Sequence, residues 1–143
     1  MSKPAQPARS EPQASGVEGS KPAQPARSEP QASEVHDTGD VRVVLVTAPD
    51  AEVAAAIART LVAERWVACA NLVPGVRSIY RWEGRIEDDA EVLLILKTTA
   101  ERCEAVASRV KDLHPYALPE VIALPVTDGS RAYLDWVRDE ASG

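Results

Sequence analysis

From Val41 onward, short and densely apolar runs alternate with longer stretches in which apolar residues recur every three or four positions. Val41-Arg42-Val43-Val44-Leu45-Val46 is β-branched and nearly all apolar, the pattern of a strand buried on both faces. Thr47-Ala48-Pro49-Asp50 then supplies helix-start chemistry, with a proline tolerated in the first turn and an acid near the positive end of the dipole. Val53, Ile57 and Leu61, with Ala54, Ala58 and Val62, hold i, i+4 spacing on one stripe, which predicts an amphipathic helix. Val67 to Trp82 reads as extended with one interruption at Pro74-Gly75, and Glu83-Gly84 reads as a two-residue hairpin loop. The return strand runs from Arg85 to Thr98 around Val92-Leu93-Leu94-Ile95-Leu96. Thr98-x-x-Glu101 matches a capping box, so a second helix is expected to about Leu113, with Cys103, Val106 and Val110 on its apolar face. His114-Pro115 ends it. Val121 to Val126 reads as a further strand, and Ser130 caps a short last helix carrying Tyr133, Leu134, Trp136 and Val137.

The order β-α-β-β-α-β is that of an α+β, ferredoxin-like βαββαβ unit, here followed by a short C-terminal helix. Right-handed crossovers place the first and third strands, the two most apolar, in the centre of the sheet. Both helices then cover one face, and alternate residues of Val43 to Val46 and Val92 to Leu96 point away from them. An apolar sheet face of that extent usually marks an interface. The extended stretch from Val67 to Trp82 also far exceeds the usual strand of about 5–6 residues. Together these features predict a homo-oligomer that shares sheet edges and buries a sheet face.

Residues 1–40 break the pattern. They hold six of the eleven prolines and almost no large apolar residue, and the fourteen residues Ser2 to Ser15 recur without change as Ser20 to Ser33. Prolines, Ser, Gln, Glu and Lys give such a segment nothing to bury, so 1–40 is expected to be a disordered, Pro-rich tail and 41–143 the folded domain. Charge then narrows the function. The domain carries 12 Lys and Arg against 16 Asp and Glu, and the tail 4 against 6. Neither part has the cationic surface on which nucleic-acid binding rests. No apolar run approaches the roughly 20 residues of a membrane span. The two cysteines, Cys69 and Cys103, are too few for a disulfide framework, which points to a reducing, cytoplasmic setting.

Cys69, Cys103 and His114 are the soft metal ligands of the domain, and thiolate with imidazole suits copper or zinc. Their wide spacing does not establish convergence, and burial as small hydrophobes is the plainer reading of both cysteines. His114-Pro115-Tyr116-Ala117-Leu118-Pro119-Glu120 has two prolines that fix its path. It can hold an imidazole, a phenol and a carboxylate together; alternatively, His114 caps its helix and Glu120 satisfies loop amides. Tyr80 and Trp82 share a strand face at i, i+2, which suits an interface or a ligand shelf. Glu87, Asp88, Asp89 and Glu91 read as a solvated edge. No activated nucleophile or complete metal centre emerges, so the protein is not expected to be an enzyme.

The blocks Trp66-Val67-Ala68-Cys69-Ala70-Asn71-Leu72-Val73-Pro74-Gly75, Ser78-Ile79-Tyr80-Arg81-Trp82-Glu83-Gly84, Leu96-Lys97-Thr98 and His114-Pro115-Tyr116-x-x-Pro119-Glu120 resemble the CutA family of divalent-cation tolerance proteins. The match is ordered and covers nearly all of Val41 to about Val137; the duplicated tail has no counterpart in it. The resemblance implies a compact homotrimer similar in plan to the PII signalling proteins and a role in divalent metal, chiefly copper, tolerance and homeostasis. It carries a copper association to Cys69 and His114, with copper or another divalent cation weakly bound. The PII-like plan implies a second reading: a signalling module whose intersubunit clefts, with Tyr80, Trp82, Lys97, Tyr116 and Glu120, hold a small anionic or nucleotide-like ligand.

Overall fold

The computed structural model describes residues 35–36 and 39–143. Apart from those few positions, the tail expected to be disordered lies outside the described residues. Val35–His36 form a two-residue strand, β1, antiparallel to Gly129–Ser130, so backbone pairing begins ahead of the expected boundary at Val41. The domain then runs β2 (Val41–Ala48), α1 (Ala51–Ala63), β3 (Cys69–Trp82), β4 (Arg85–Thr99), α2 (Cys103–Leu113), β5 (Ile122–Pro125), β6 (Gly129–Ser130) and α3 (Arg131–Glu140). The main sheet has the order β3-β4-β2-β5 with every neighbouring pair antiparallel. The two most apolar strands are central, as the crossover rule requires.

The pleat decides what each central residue does. Val44, Val46, Leu94 and Leu96 are at most 1% exposed and pack against Ala54, Ile57 and Leu61 of α1 and Val106 and Val110 of α2. Complete burial of side chains of this size stabilises by roughly 1.5–3 kcal/mol each. Their neighbours Val43, Leu45, Leu93 and Ile95 alternate to the other face and remain only half-buried. Helix α3 contributes Leu134 and Val137 to a separate, smaller cluster with Val41 and Ala68.

Local signals explain most boundaries. Asp50 is the N-cap of α1, its carboxylate accepting the Val53 amide at 2.9 Å. Asp50→Ala should therefore lower stability by about 1 kcal/mol, and Asp50→Ser should recover most of it. Chemical denaturation at fixed protein concentration measures the difference. Glu83 and Gly84 both have positive φ, 51° and 80°, the backbone of a tight turn whose twist matches the β3–β4 hairpin. At Pro74-Gly75 the pairing shifts between Val73 and Val76, with Gly75 at φ 82°, so one extra residue bulges from β3.

Two expectations give way. The capping box at Thr98 does not form: Thr98 is fully buried within β4, and its hydroxyl donates to the Trp66 carbonyl at 2.7 Å. A cross-chain bond in the interior outcompetes a local cap there. Helical structure begins only with a turn at Ala100–Arg102, before α2. The stretch from Val67 is also not all strand, because the Val67 amide turns back to the Leu61 carbonyl and closes the end of α1. Pairing of β3 starts at Cys69 and still extends over 14 residues.

Candidate functional site

The segment after α2 is anchored at the end of the sheet by side chains rather than by strand pairing. His114 is buried; its Nε2 lies 2.8 Å from the Thr47 carbonyl, and its Nδ1 accepts the Tyr116 amide at 3.2 Å. These two bonds assign the ring as neutral with the proton on Nε2. They also replace the expectation that the imidazole caps its own helix, since Thr47 is on β2. Tyr116 packs against this ring at a tilt of 46°, with centroids 4.6 Å apart, and its hydroxyl donates to Glu91 Oε2 at 2.5 Å. Burial and the adjacent Glu91 carboxylate push the Tyr116 phenol well above the usual tyrosine range.

Glu91 is only 3% exposed, so the expected solvated edge of Glu87, Asp88, Asp89 and Glu91 does not hold at its last member. Strand alternation puts Glu91 in line with Leu93 and Ile95, and the tyrosine hydroxyl compensates part of the cost of enclosing a carboxylate. Beside it lies a cleft of about 570 Å³, bounded by Thr47, Ser78, Tyr80, Trp82, Glu91 and Glu120 among others. The Tyr80 hydroxyl donates to Asp89 Oδ2 at 2.5 Å; burial first, then this carboxylate, raise its pKa. The Trp82 indole N–H is shut off from solvent and has no acceptor among the described residues. An enclosed donor left unmatched costs about 1–3 kcal/mol, which makes this wall the least satisfied part of the site.

Cys69 and Lys97 sit elsewhere. They are cross-strand partners on β3 and β4, and Lys97 Nζ lies 3.6 Å from Cys69 Sγ while also donating to Asn71 Oδ1. The Tyr133 hydroxyl of α3 approaches the same sulfur at 3.4 Å, and burial followed by this contact raises the Tyr133 pKa. Lys97 pairs with Val43 on β2, four residues from Thr47. The thiol and the His114 anchor point are therefore roughly 13 Å apart along the strands and two strands apart across them. Of the seven candidate residues, Tyr80, Trp82 and Glu120 line the cleft and Tyr116 and His114 stand behind it. Cys69 and Lys97 form a second cluster. Cys103 packs against the core, and burial pushes its thiol pKa up, as expected of an inert cysteine.

A family model described as the CutA1 divalent ion tolerance protein matches residues 42–140. The chain belongs to the CutA1 family. Among its relatives, the divalent-cation tolerance protein CutA of Thermus thermophilus is 54% identical over 97 residues, covering 68% of this chain and 94% of that one. Human protein CutA is 48% identical over 100 residues, 70% of this chain, which spans just over half of the human protein at 56%. Solved CutA structures agree in fold. The Thermus thermophilus protein has a TM-score of 0.70 at 51% identity, over 71% of this chain and 99% of that one. CutA from Synechococcus elongatus has a TM-score of 0.73 at 35% identity, over 77% and 97%.

Membership in the CutA1 family gives the metal question a definite form. Among the described residues no three His, Cys, Asp or Glu side chains gather as a cation would need. Both nitrogens of His114 already have partners within the chain. Among the described residues, Cys69 is a partly exposed soft donor away from the main core cluster, flanked by Asn71, Lys97 and Tyr133. Asn71 and Tyr133 are the contacts that sequence reading missed. Asn71 was signalled by its i+2 position on the Cys69 strand face, whereas Tyr133 is 64 residues away and carried no signal.

Proposed function

We propose that the protein serves divalent-cation tolerance and homeostasis as a non-catalytic homotrimer that binds copper or another soft divalent cation weakly. The observation that carries this reading is the family match over residues 42–140, with relatives named for divalent-cation tolerance. Cys69 is the proposed primary donor, because a thiolate favours copper and this thiol lies outside the main core. Since one subunit keeps His114 away from Cys69, the two share a cation only across a subunit boundary. The half-buried face of Val43, Leu45, Leu93 and Ile95 supports assembly in the PII-like manner. No described helix is long and apolar enough to cross a membrane. A cytoplasmic setting is proposed on the two cysteines, too few for a disulfide framework.

Calorimetric titration of copper into the 143-residue protein tests the assignment. Cys69→Ser should weaken binding by about 10–100-fold, the range seen even for residues one step removed from a metal. His114→Ala should weaken it only in the assembled protein. Unchanged affinity in both variants would remove the proposed site.

A second reading, a PII-like module holding a small ligand, is favoured by the cleft of about 570 Å³ lined by Tyr80, Trp82 and Glu120. Pockets of this size commonly hold metabolites. Thermal shift against metabolites and metals separates the two: a response to metals alone would argue against a cleft ligand.

A further inference from the structure

We propose that Cys69 and Lys97 are the two ends of a redox-sensitive covalent link, an amine–oxygen–sulfur bridge closed by dioxygen and opened by thiols. No cation takes part, so the link stands apart from the metal reading.

The register of the sheet supplies the pair. Cys69 on β3 is the cross-strand partner of Lys97 on β4, and Lys97 pairs in turn with Val43 on β2, so all three side chains share the sheet face turned away from α1 and α2. Lys97 Nζ lies 3.6 Å from Cys69 Sγ. Asn71, two residues along from Cys69 and on the same strand face, accepts a hydrogen bond from Lys97 Nζ and holds the lysine end in place. From the other side, the Tyr133 hydroxyl of α3 lies 3.4 Å from the sulfur. A partly exposed thiol beside a cation is the kind of surrounding in which cysteines react. Cys103 differs in both respects. It packs against the core on the helix side of the sheet, where burial pushes its thiol pKa up. The two cysteines thus stand on opposite sides of the sheet, and both are free thiols. The partner that the geometry provides for an oxidised Cys69 is the Lys97 amine.

The step balances with one dioxygen. Lysine first gives one ammonium proton to solvent. The O–O bond then breaks: one oxygen atom bonds to both Nζ and Sγ, and the other leaves as water with one hydrogen from the amine and one from the thiol. Dioxygen takes up four electrons, two from sulfur and two from nitrogen. Two molecules of dithiothreitol reverse the change, each closing to a disulfide, and release amine, thiol and one water. A bridged sulfur keeps no thiolate, so the same step would withdraw the donor proposed for copper.

The test uses the 143-residue protein, freed of metals with a chelator and kept for days in oxygen-saturated buffer beside a sample under argon. High-resolution intact mass spectrometry should show a gain of one oxygen less two hydrogens. Cleavage with a glutamate-specific protease should yield two joined peptides, one holding Cys69 and the other Lys97. Dithiothreitol should remove both signs. Cys69→Ser and Lys97→Arg should each reduce the joined pair to the level of the argon sample, while Cys103→Ser should leave its yield unchanged. If Lys97→Arg fails to fold, Lys97→Gln repeats the test. Whole-oxygen gains on Cys69 without a joined pair would overturn the bridge, as would a Cys69 disulfide between copies as the main product. So would a joined pair that persists without Lys97, or an oxygen-treated chain identical to the argon sample.

Discussion

Ile95→Glu is expected to abolish the proposed three-subunit particle, and the unaltered protein is expected to keep that mass at ordinary dilution. Ile95 is on β4 between Leu94 and Leu96, both fully buried under the helices, and itself points to the opposite, half-buried face. Leu93 on the same strand and Val43 and Leu45 on β2 extend that apolar surface. If neighbouring chains cover it, the interface falls in the obligate class, on the order of 2,000 Å² or more, and folding is coupled to association. A carboxylate placed there is either desolvated without a partner or holds the chains apart. Light scattering reports the mass and far-ultraviolet circular dichroism reports whether the separated chain stays folded. Ile95→Glu particles that keep three subunits and an unchanged melting temperature would rule out this face as the interface.

The choice between Leu94 and Ile95 shows how far the sequence could be read. Val92 to Leu96 is apolar at every position, so its composition predicts a central strand but not which residues face the helices. The answer depends on the register of β4 against β2, where Val44 pairs with Leu96 and Val46 with Leu94. Turns were more legible, because Glu83-Gly84 and Pro74-Gly75 demand positive φ or a break wherever they occur. Thr98 misled for the converse reason. A capping-box pattern describes four local residues, and it yielded to a hydrogen bond to Trp66, 32 positions away.

The candidate site was legible as a set of residue types and illegible as a map. The loop from His114 to Glu120 stood out because two prolines fix it, and its histidine and tyrosine do meet. Nothing local indicated that Glu91 would be enclosed while Asp88, three residues earlier, pairs with Arg77 in solvent. Both are acids in one strand but on opposite faces, and it is the loop arriving from another part of the chain that encloses Glu91. Lys97 and Cys69 are in similar case. Twenty-eight residues separate them, and their contact exists because the bulge at Pro74-Gly75 sets the register of β3 against β4.

Tyr116→Phe isolates the buried hydroxyl of that network. The ring keeps its place against His114, so the substitution removes chiefly the donor to Glu91, a hydrogen bond to a charged acceptor worth about 1.5–3 kcal/mol. The loss should depend on pH in a definite direction. The folded state raises the phenol above its ordinary value of 10.0, chiefly through burial and then through Glu91. A raised pKa means that the folded protein holds its proton where the unfolded chain has released it. The contribution is therefore complete below about pH 10 and is lost as the pH rises toward the folded value. The variant should be less stable than the parent near neutrality, and the gap should narrow above pH 10 as the parent loses the advantage. Urea denaturation at one protomer concentration, repeated across that range, measures the gap directly. No gap near neutrality would remove the hydrogen bond from the stability of the fold, and a gap that stays constant above pH 10 would show that the phenol titrates alike in the folded and unfolded chains.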